Sequence, residues 1–278
     1  MAAITAQAVM ELRNLTDLPM MDVKKALVDA DGDQAKAIEL LKERNKKVMI
    51  KRAENATSEG LIRVGTSEDG SLGAMVEIQC ESAPVAKADD FVFLADQLVK
   101  QLLTGPGAAT PEELLAQPAP DRPGTKLGDL LEEVVGKIRE KMVVARVLRV
   151  AGPVGAYAHH DGKTGVLFTA AGEKKAVAVL RDVAMHVAAL KPVVTQPEEL
   201  QADQVAAERA RLTTEAAASG KPANIVEKIV EGRMKTYYAE NGVLAFQLFA
   251  KDDSKTVSQA LAESGLKASG FTRWILGN

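Results

Sequence analysis

The sequence predicts an α+β fold, in which three N-terminal helices precede two related lobes, each a small antiparallel sheet with helices. A repeated motif is the first observation behind this prediction: Asp-Gly-x-x-Gly begins at Asp69 and again at Asp161, each time between alternating apolar runs. Asp-Gly in that setting indicates a tight hairpin, because glycine accepts the positive φ that the turn needs. The second observation is that a helical pattern follows each hairpin, so that each lobe can bury one sheet face under a helix.

The capping residues and the apolar spacing of residues 4–45 predict the three short helices. Thr5 can cap the first helix, Pro19 interrupts the chain before the second, and Gly32-Asp33 ends the second and caps the third. So small a bundle resembles the ubiquitin-associated type of fold. The basic run Lys42–Arg52 is interpreted as a solvated helix end and linker, because isolated charge runs are usually solvated, and residues 53–59 continue that linker.

The elements of the two lobes follow from periodicity and from turn residues. In the first lobe we predict a hairpin at 60–78, a helix through Leu102, an irregular stretch at 104–125, a helix at 127–140 and a third strand at 143–150. In the second lobe we predict strands at 154–157 and 164–168, a helix at 174–190, a helical hairpin at 202–239, an extended segment at 243–249, a helix at 256–264 and a strand at 271–276.

These elements group into three predicted domains. Residues 1–52 form the helical bundle and residues 53–150 the first lobe. Residues 151–278 form the second lobe, with the inserted helical hairpin 202–239 and a C-terminal module at 250–278.

Composition excludes several classes of function. A net charge of −3 gives no general attraction to nucleic acid or to an anionic membrane, and no run approaches the roughly 20 apolar residues of a membrane span. The only cysteine, Cys80, excludes an intramolecular disulfide framework and a cysteine-rich zinc site. The first residues lack the pattern of a secretory signal. We therefore expect a protein of the reducing cytoplasm.

No catalytic, metal or cofactor site is predicted. Lys163-Thr164 follows a glycine but leads into a strand, whereas a phosphate loop must open a helix. His159 and His160 are adjacent and would point to opposite faces of a strand, so they are not expected to share a metal ion. His186 lies on an apolar helical stripe, and Cys80 is interpreted as a buried structural thiol. The sequence therefore favours a binding protein over an enzyme.

Several segments are similar to the signature sequences of one known protein family. The stretch from Leu12 to Leu27 is similar to its N-terminal signature through Leu-Arg, Thr, Met-Met-Asp and Lys-Lys-Ala-Leu, with Pro19 where the family has a small residue. Residues 77–87 fall where the family has Glu-Leu-Asn-Cys-Glu-Thr-Asp-Phe-Val-Ala-Lys. Further similar segments are Tyr157-x-His159, Ala184–Ala189, Ser219–Pro222, Val230–Met234, Ser254–Val257 and Gly270–Arg273. In these segments, which occur in order along nearly the whole chain, the sequence resembles the translation elongation factor Ts family.

The resemblance implies a partner and an activity. Members of the family bind elongation factor Tu, in its GDP-bound and nucleotide-free forms, and release its GDP so that GTP can enter. They do this by disturbing the Mg²⁺ and phosphate-binding region of the partner. The resemblance implies no cofactor, no catalysis and no direct nucleic-acid contact, and it leaves a homodimer open.

At the segment associated with Mg²⁺ displacement the chain departs from the family. Ser82-Ala83-Pro84-Val85 replaces Thr-Asp-Phe-Val, so the acid and the aromatic ring are both missing. Ser82 is still expected to cap the following helix, and Pro84 suits a first turn. We expect exchange to proceed through the remaining contacts; the alternative is that this variant exchanges nucleotide more slowly or is differently tuned. The nearby Phe91 has the helical phase of a core residue.

The resemblance also implies partner contacts at Met20, Met21 and Lys24 in the bundle and at His159 on the second hairpin. Core packing is the alternative for the two methionines, and simple solvation is the alternative for Lys24. A second function stays open as well, namely a binding scaffold whose bundle captures ubiquitin-like or peptide partners. A hydrolase that uses Cys80 or a histidine is the least favoured reading.

Overall fold

A computed structural model describes residues 4–175 and 177–278, except for the side chains of residues 48 and 49. Its α-helices are α1 Ala6–Thr16, α2 Met20–Asp29, α3 Gln34–Arg52, α4 Asp89–Thr104, α5 Pro111–Leu115, α6 Leu127–Ile138, α7 Ala178–Leu190, α8 Ala202–Ala217, α9 Ala223–Glu240 and α10 Val257–Ala262. Its strands are β1 Glu59–Thr66, β2 Leu72–Cys80, β3 Met142–Ala151, β4 Val154–Ala158, β5 Thr164–Ala171, β6 Leu248–Phe249, β7 Asp252–Thr256 and β8 Lys267–Ile275.

The α+β prediction is confirmed. Two sheets have three strands each, in the orders β1-β2-β3 and β4-β5-β8, and β6 pairs with β7. The third strand expected near residue 143 is β3, and the closing strand expected near residue 271 is β8. The predicted helix at 174–190 starts later, at Ala178, and its residue 176 lies outside the described residues, as do residues 1–3 of the N-terminal segment.

The N-terminal helices form as their capping residues predict. Thr5 Oγ1 accepts a hydrogen bond from the Ala8 amide at 3.1 Å, and Asp33 Oδ1 accepts one from the Lys36 amide at 3.1 Å. The prediction for residues 42–52 was wrong in one respect, because α3 continues to Arg52 instead of giving way to a linker. Lysine and arginine are good helix formers, so a solvated basic run can extend a helix whose first half is already packed.

Contacts divide the chain into two compact units. One comprises the residues up to Leu61, residues 76–147 and Gly277; the other comprises residues 62–75, residues 148–276 and Asn278. The domain boundaries expected from the sequence, at 52/53 and 150/151, stay a prediction.

The glycines of the repeated motif have two separate functions in the second unit. Gly70 and Gly162 have φ values of 66° and 70°, which the hairpin turns require. Gly165 instead permits a close approach, since a Cβ atom there would lie 2.4 Å from Ile62 Cγ2. At Gly73 a Cβ atom would lie 2.5 Å from Val154 Cγ1. Each repeat thus has a glycine where the other repeat packs against it.

Strand β5 is buried on both faces. Its neighbours are β4 and β8, both antiparallel, and its side chains alternate between the two faces. Phe168 belongs to the core formed with α7, which includes Val183. Leu167 points the other way and joins the cluster that contains Ile62 and Met75. The run Val166–Ala170 is therefore apolar almost throughout, as a doubly covered strand should be.

The inserted helical hairpin is confirmed as α8 and α9. Gly220, with φ 67°, lies in the turn between them. The two helices bury a small cluster of their own, which consists of Leu212, Ala216, Val230 and Met234.

The extended segment predicted at 243–249 was wrong for most of its length. Residues Leu244–Phe246 form a 3₁₀ turn, and only Leu248–Phe249 is a strand. The amide of Leu244 donates to the carbonyl of Val194 at 2.9 Å, so a distant loop supplies the hydrogen bond that a neighbouring strand would otherwise provide.

Candidate partner-binding site

The segment Ser82–Val85 joins strand β2 to the helices that follow it. Ala83 and Pro84 are exposed, whereas Val85 is buried and begins a 3₁₀ turn at Val85–Lys87. Pro84 has helical dihedral angles, φ −60° and ψ −39°, which its ring favours. The exposed part of the segment is therefore a compact turn with small, uncharged side chains.

Ser82 does not cap a helix, and that expectation was wrong. Its hydroxyl donates to Glu140 Oε1 at 2.6 Å, and its amide donates to Glu140 Oε2 at 3.0 Å. Helix α4 begins at Asp89, with Ala88 at the N-cap position and no side-chain cap. A capping residue stands directly before its helix, and that position is taken by Pro84 for the 3₁₀ turn at Val85–Lys87 and by Ala88 for α4. Ser82 is therefore too early in the chain to cap either one.

The carboxylate of Glu81 precedes this segment and is also fully engaged. It accepts hydrogen bonds from the amide of Lys141 at 2.6 Å, from Arg52 Nη1 at 2.9 Å and from Asn55 Nδ2 at 2.7 Å. These donors, the Lys141 amide first among them, hold the pKa of Glu81 below its ordinary value of 4.5. Glu81 is therefore ionised at neutral pH and ties three parts of the chain together.

Cys80 is a buried structural thiol, as the sequence predicts. Its Sγ donates to the carbonyl of Ser82 at 3.3 Å. Burial is the main reason that the pKa of this thiol rises to about 11. A thiol that stays protonated at neutral pH is a poor nucleophile, so a hydrolase based on Cys80 has no support here.

The residues of α2 that the resemblance marks as contacts lie on its exposed side. Met20 and Met21 are 48% and 74% exposed, and Lys24 is exposed as well. Val23 and Leu27 instead fill the core of the bundle. The alternative of core packing for the two methionines is therefore wrong, and two large apolar side chains remain on the surface beside a lysine.

His159 is half-buried at the end of strand β4. Its Nδ1 lies 3.2 Å from the hydroxyl of Tyr157, and its ring centroid lies 4.2 Å from that of His160. The two histidines were expected to point to opposite faces, and that was wrong because the strand ends at Ala158. Alternation applies only within a strand, and in the turn the two rings come together.

His186 is a core histidine, as predicted. It is fully buried, its Nδ1 accepts a hydrogen bond from the Ala250 amide at 3.1 Å, and its Nε2 lies 2.9 Å from Gln247 Oε1. Because Nδ1 must be unprotonated to accept from an amide, Nε2 carries the proton and donates to Gln247. Burial lowers the pKa of this imidazole from its ordinary value of 6.5.

In the ranges 4–175 and 177–278, no group of three or more histidine, cysteine or acidic side chains is placed to hold a metal ion. Among those same residues, no helix is both long enough and apolar enough to cross a membrane.

The candidate contacts fall into two groups. Ser82–Val85 and the exposed side of α2 belong to the first compact unit, whereas His159 belongs to the second. Sequence reasoning missed the carboxylates that hold the segment in place. Glu140 is 58 residues away from Ser82, and no local pattern relates the two positions.

A model of the elongation factor Ts family matches residues 81–278 of the chain. Elongation factor Ts of Paenarthrobacter aurescens (strain TC1) is 42% identical over 285 residues, which cover 100% of both chains. The factor of Herminiimonas arsenicoxydans is 41% identical and that of Hyphomonas neptunium 40%, and this chain aligns over its whole length with 92% and 93% of them. With the family match spanning well over half of its residues and these relatives aligned along all of it, the chain belongs to the elongation factor Ts family.

Proposed function

We propose that this translation elongation factor binds elongation factor Tu and promotes the release of its GDP, so that GTP can enter. The observation that carries the proposal is the full-length similarity to proteins named elongation factor Ts, at 42% identity. In this proposal the chain catalyses no reaction of its own. It acts in the cytoplasm, where its partner would also be found.

The physical basis is linkage between two binding events. A protein that binds the nucleotide-free partner more tightly than the GDP-bound partner must weaken GDP binding by the same factor. Shifting such an equilibrium from one extreme to the other takes on the order of 5 kcal/mol of differential affinity. A small number of contacts can supply that amount if they disturb the segments that hold Mg²⁺ and phosphate.

The exposed surfaces support a division of the contacts. The Ala83-Pro84 turn would approach the nucleotide region by its shape, because it carries neither an acid nor an aromatic ring. Met20, Met21 and Lys24 would bind through apolar area with one positive charge at its edge. His159 would contribute from the second unit. Exchange therefore proceeds through several moderate contacts and without an aromatic wedge.

Nucleotide release tests this proposal. Elongation factor Tu is loaded with a fluorescent GDP analogue and mixed with excess unlabelled GDP, with and without the chain. The expected result is a release rate that rises with the concentration of the chain and then saturates. A release rate that does not change at any concentration contradicts the proposal. Sedimentation of the chain alone decides whether it also forms a homodimer.

A further inference from the structure

Glu81, which precedes the candidate segment, and Ser82, its first residue, exchange hydrogen bonds with the turn between α6 and β3. The carboxylate of Glu140 accepts from the amide of Ser82 at 3.0 Å, and the carboxylate of Glu81 accepts from the amide of Lys141 at 2.6 Å. The pair Glu81-Ser82 and the pair Glu140-Lys141 thus each supply one carboxylate and one amide, and each carboxylate accepts from the amide of the other pair. Glu81, Ser82, Glu140 and Lys141 together form the carboxylate frame.

The carboxylate frame also holds the end of helix α3. Arg52 Nη1 lies 2.9 Å from both oxygens of Glu81. The ammonium of Lys141 donates to the carbonyls of Ala53 and Asn55, at 2.6 Å and 2.9 Å. The chain between the bundle and β1 is therefore held by Glu81 and Lys141, two of the four residues of the carboxylate frame.

Such fixation matters most for a segment with little side-chain chemistry. Ala83 and Pro84 offer a partner mainly the course of their backbone. Ordering a flexible residue on binding costs conformational entropy, and a segment that is already held in its bound conformation avoids that loss. Here Ser82 is anchored by Glu140, Pro84 has a fixed φ, and Val85 is buried, so the exposed turn is restrained at both ends.

We propose that Glu140 is a positioning residue for partner binding, which holds the Ala83-Pro84 turn in the conformation that elongation factor Tu meets. The inference rests on the proposed function and adds a residue that the family resemblance does not mark. Glu140 touches neither nucleotide nor partner in this proposal; it acts through Ser82. In this chain the restrained backbone takes over part of the task of the missing acid and ring.

The test uses the full-length chain with Glu140→Ala, Glu140→Gln and the control Glu132→Ala. Glu132 is a nearby glutamate that is exposed on α6, outside the carboxylate frame. Two quantities are measured: the rate of GDP release from elongation factor Tu at a fixed concentration of the chain, and the hydrogen exchange of the Ser82 amide. The exchange measurement reports on the turn without the partner.

Glu140→Ala should release GDP about tenfold more slowly than the unaltered chain, because two hydrogen bonds to a charged acceptor are lost. Its Ser82 amide should exchange faster. Glu140→Gln keeps an acceptor for one of the two donors, so its release rate should recover to within about threefold. Glu132→Ala should match the unaltered chain in both measurements. Circular dichroism at the assay temperature shows that each variant is folded.

Two failures are distinguishable. If the unaltered chain does not accelerate GDP release, the proposed function fails, while the exchange measurement still reports whether Glu140 restrains Ser82. If the unaltered chain is active and folded Glu140→Ala is equally active, the positioning role is wrong. If Glu140→Ala does not fold, Glu140→Gln is compared with Glu132→Ala. The proposal is overturned if the two variants release GDP at equal rates although the Ser82 amide of Glu140→Gln has lost its protection from hydrogen exchange.

Discussion

The guanidinium of Arg146 donates two hydrogen bonds to one oxygen of the Glu77 carboxylate, from Nη2 at 2.6 Å and from Nε at 2.8 Å. Glu77 is only 1% exposed, and its other oxygen accepts from Gln79 Nε2 at 2.6 Å and from the Gly277 amide at 3.1 Å. A carboxylate removed from water in this way depends on its donors, since a buried charge without them is strongly unfavourable.

Arg146→Ala should therefore lower the free energy of unfolding by about 3 kcal/mol, because it leaves the buried Glu77 charge without its main donor. Urea denaturation measures this quantity. The control is Arg122→Ala, since Arg122 pairs with Glu133 on the surface at 2.8 Å and such pairs contribute about 0–1 kcal/mol. Similar losses in the two variants would show that burial of Glu77 does not matter.

His186 gives the stability a dependence on pH. Burial lowers the pKa of its imidazole below the ordinary value of 6.5, so the unfolded chain binds a proton more readily than the folded chain. Stability therefore rises with pH between the folded and unfolded pKa values. We expect the free energy of unfolding to decrease as the pH falls from 7.5 through 6.5, where few carboxylates titrate.

Denaturation at several pH values checks this expectation. In His186→Gln the decrease between pH 7.5 and 5.5 should become smaller, although this variant will be less stable at every pH because the packing and hydrogen bonds of the ring are lost. In His160→Gln, which alters an exposed histidine, the decrease should persist. A pH dependence that is identical in both variants would assign the effect to other groups.

The missing wedge can be restored by substitution. Ala83 and Pro84 are exposed, so an aspartate and a phenylalanine can replace them without entering a packed core. We expect Ala83→Asp with Pro84→Phe to accelerate GDP release by about threefold or more, because a charge and a ring would then reach the Mg²⁺ region of the partner. Each single substitution is measured as well, and Ala210→Asp, at an exposed position of α8, serves as the control for added charge. An unaltered release rate would show that the wedge has no role in this background.

The sequence was sufficient for features that depend on neighbouring residues. The caps at Thr5 and Asp33, the positive φ of Gly70 and Gly162 and the core position of His186 all follow from local spacing. Features that depend on distant partners were missed or wrong. The hydroxyl of Ser82 donates to Glu140 and caps no helix, and nothing near Ser82 in the sequence indicates that carboxylate, which is 58 residues away.

The contact between the rings of His159 and His160 shows that a prediction from neighbouring residues can also fail, when the end of a strand is misplaced by one residue. Alternation predicts opposite faces for His159 and His160 only if the strand includes both, and it ends one residue earlier, at Ala158. Within the candidate site, the exposed turn was therefore found by similarity to a family motif, whereas its supports were visible only in three dimensions. Glu77 and Arg146 are a further example, since 69 residues separate them.

The exposed side of α2 gives the last prediction. Met20 and Met21 are adjacent and are 48% and 74% exposed, with Lys24 exposed on the same helix. Exposed apolar side chains that form a contiguous patch mark binding sites on monomers, whereas single ones do not. Met21→Ala and Lys24→Ala should each weaken binding to nucleotide-free elongation factor Tu by about three- to tenfold, as moderate interface contacts do. Unfolding should not change, because neither side chain packs in the core. Met10→Ala is the matched control, since Met10 is 51% exposed on α1, outside the proposed contacts. Calorimetric titration checks this: if all three variants bind as tightly as the unaltered chain, α2 is not part of the interface. If all three lose affinity equally, the interface also includes α1.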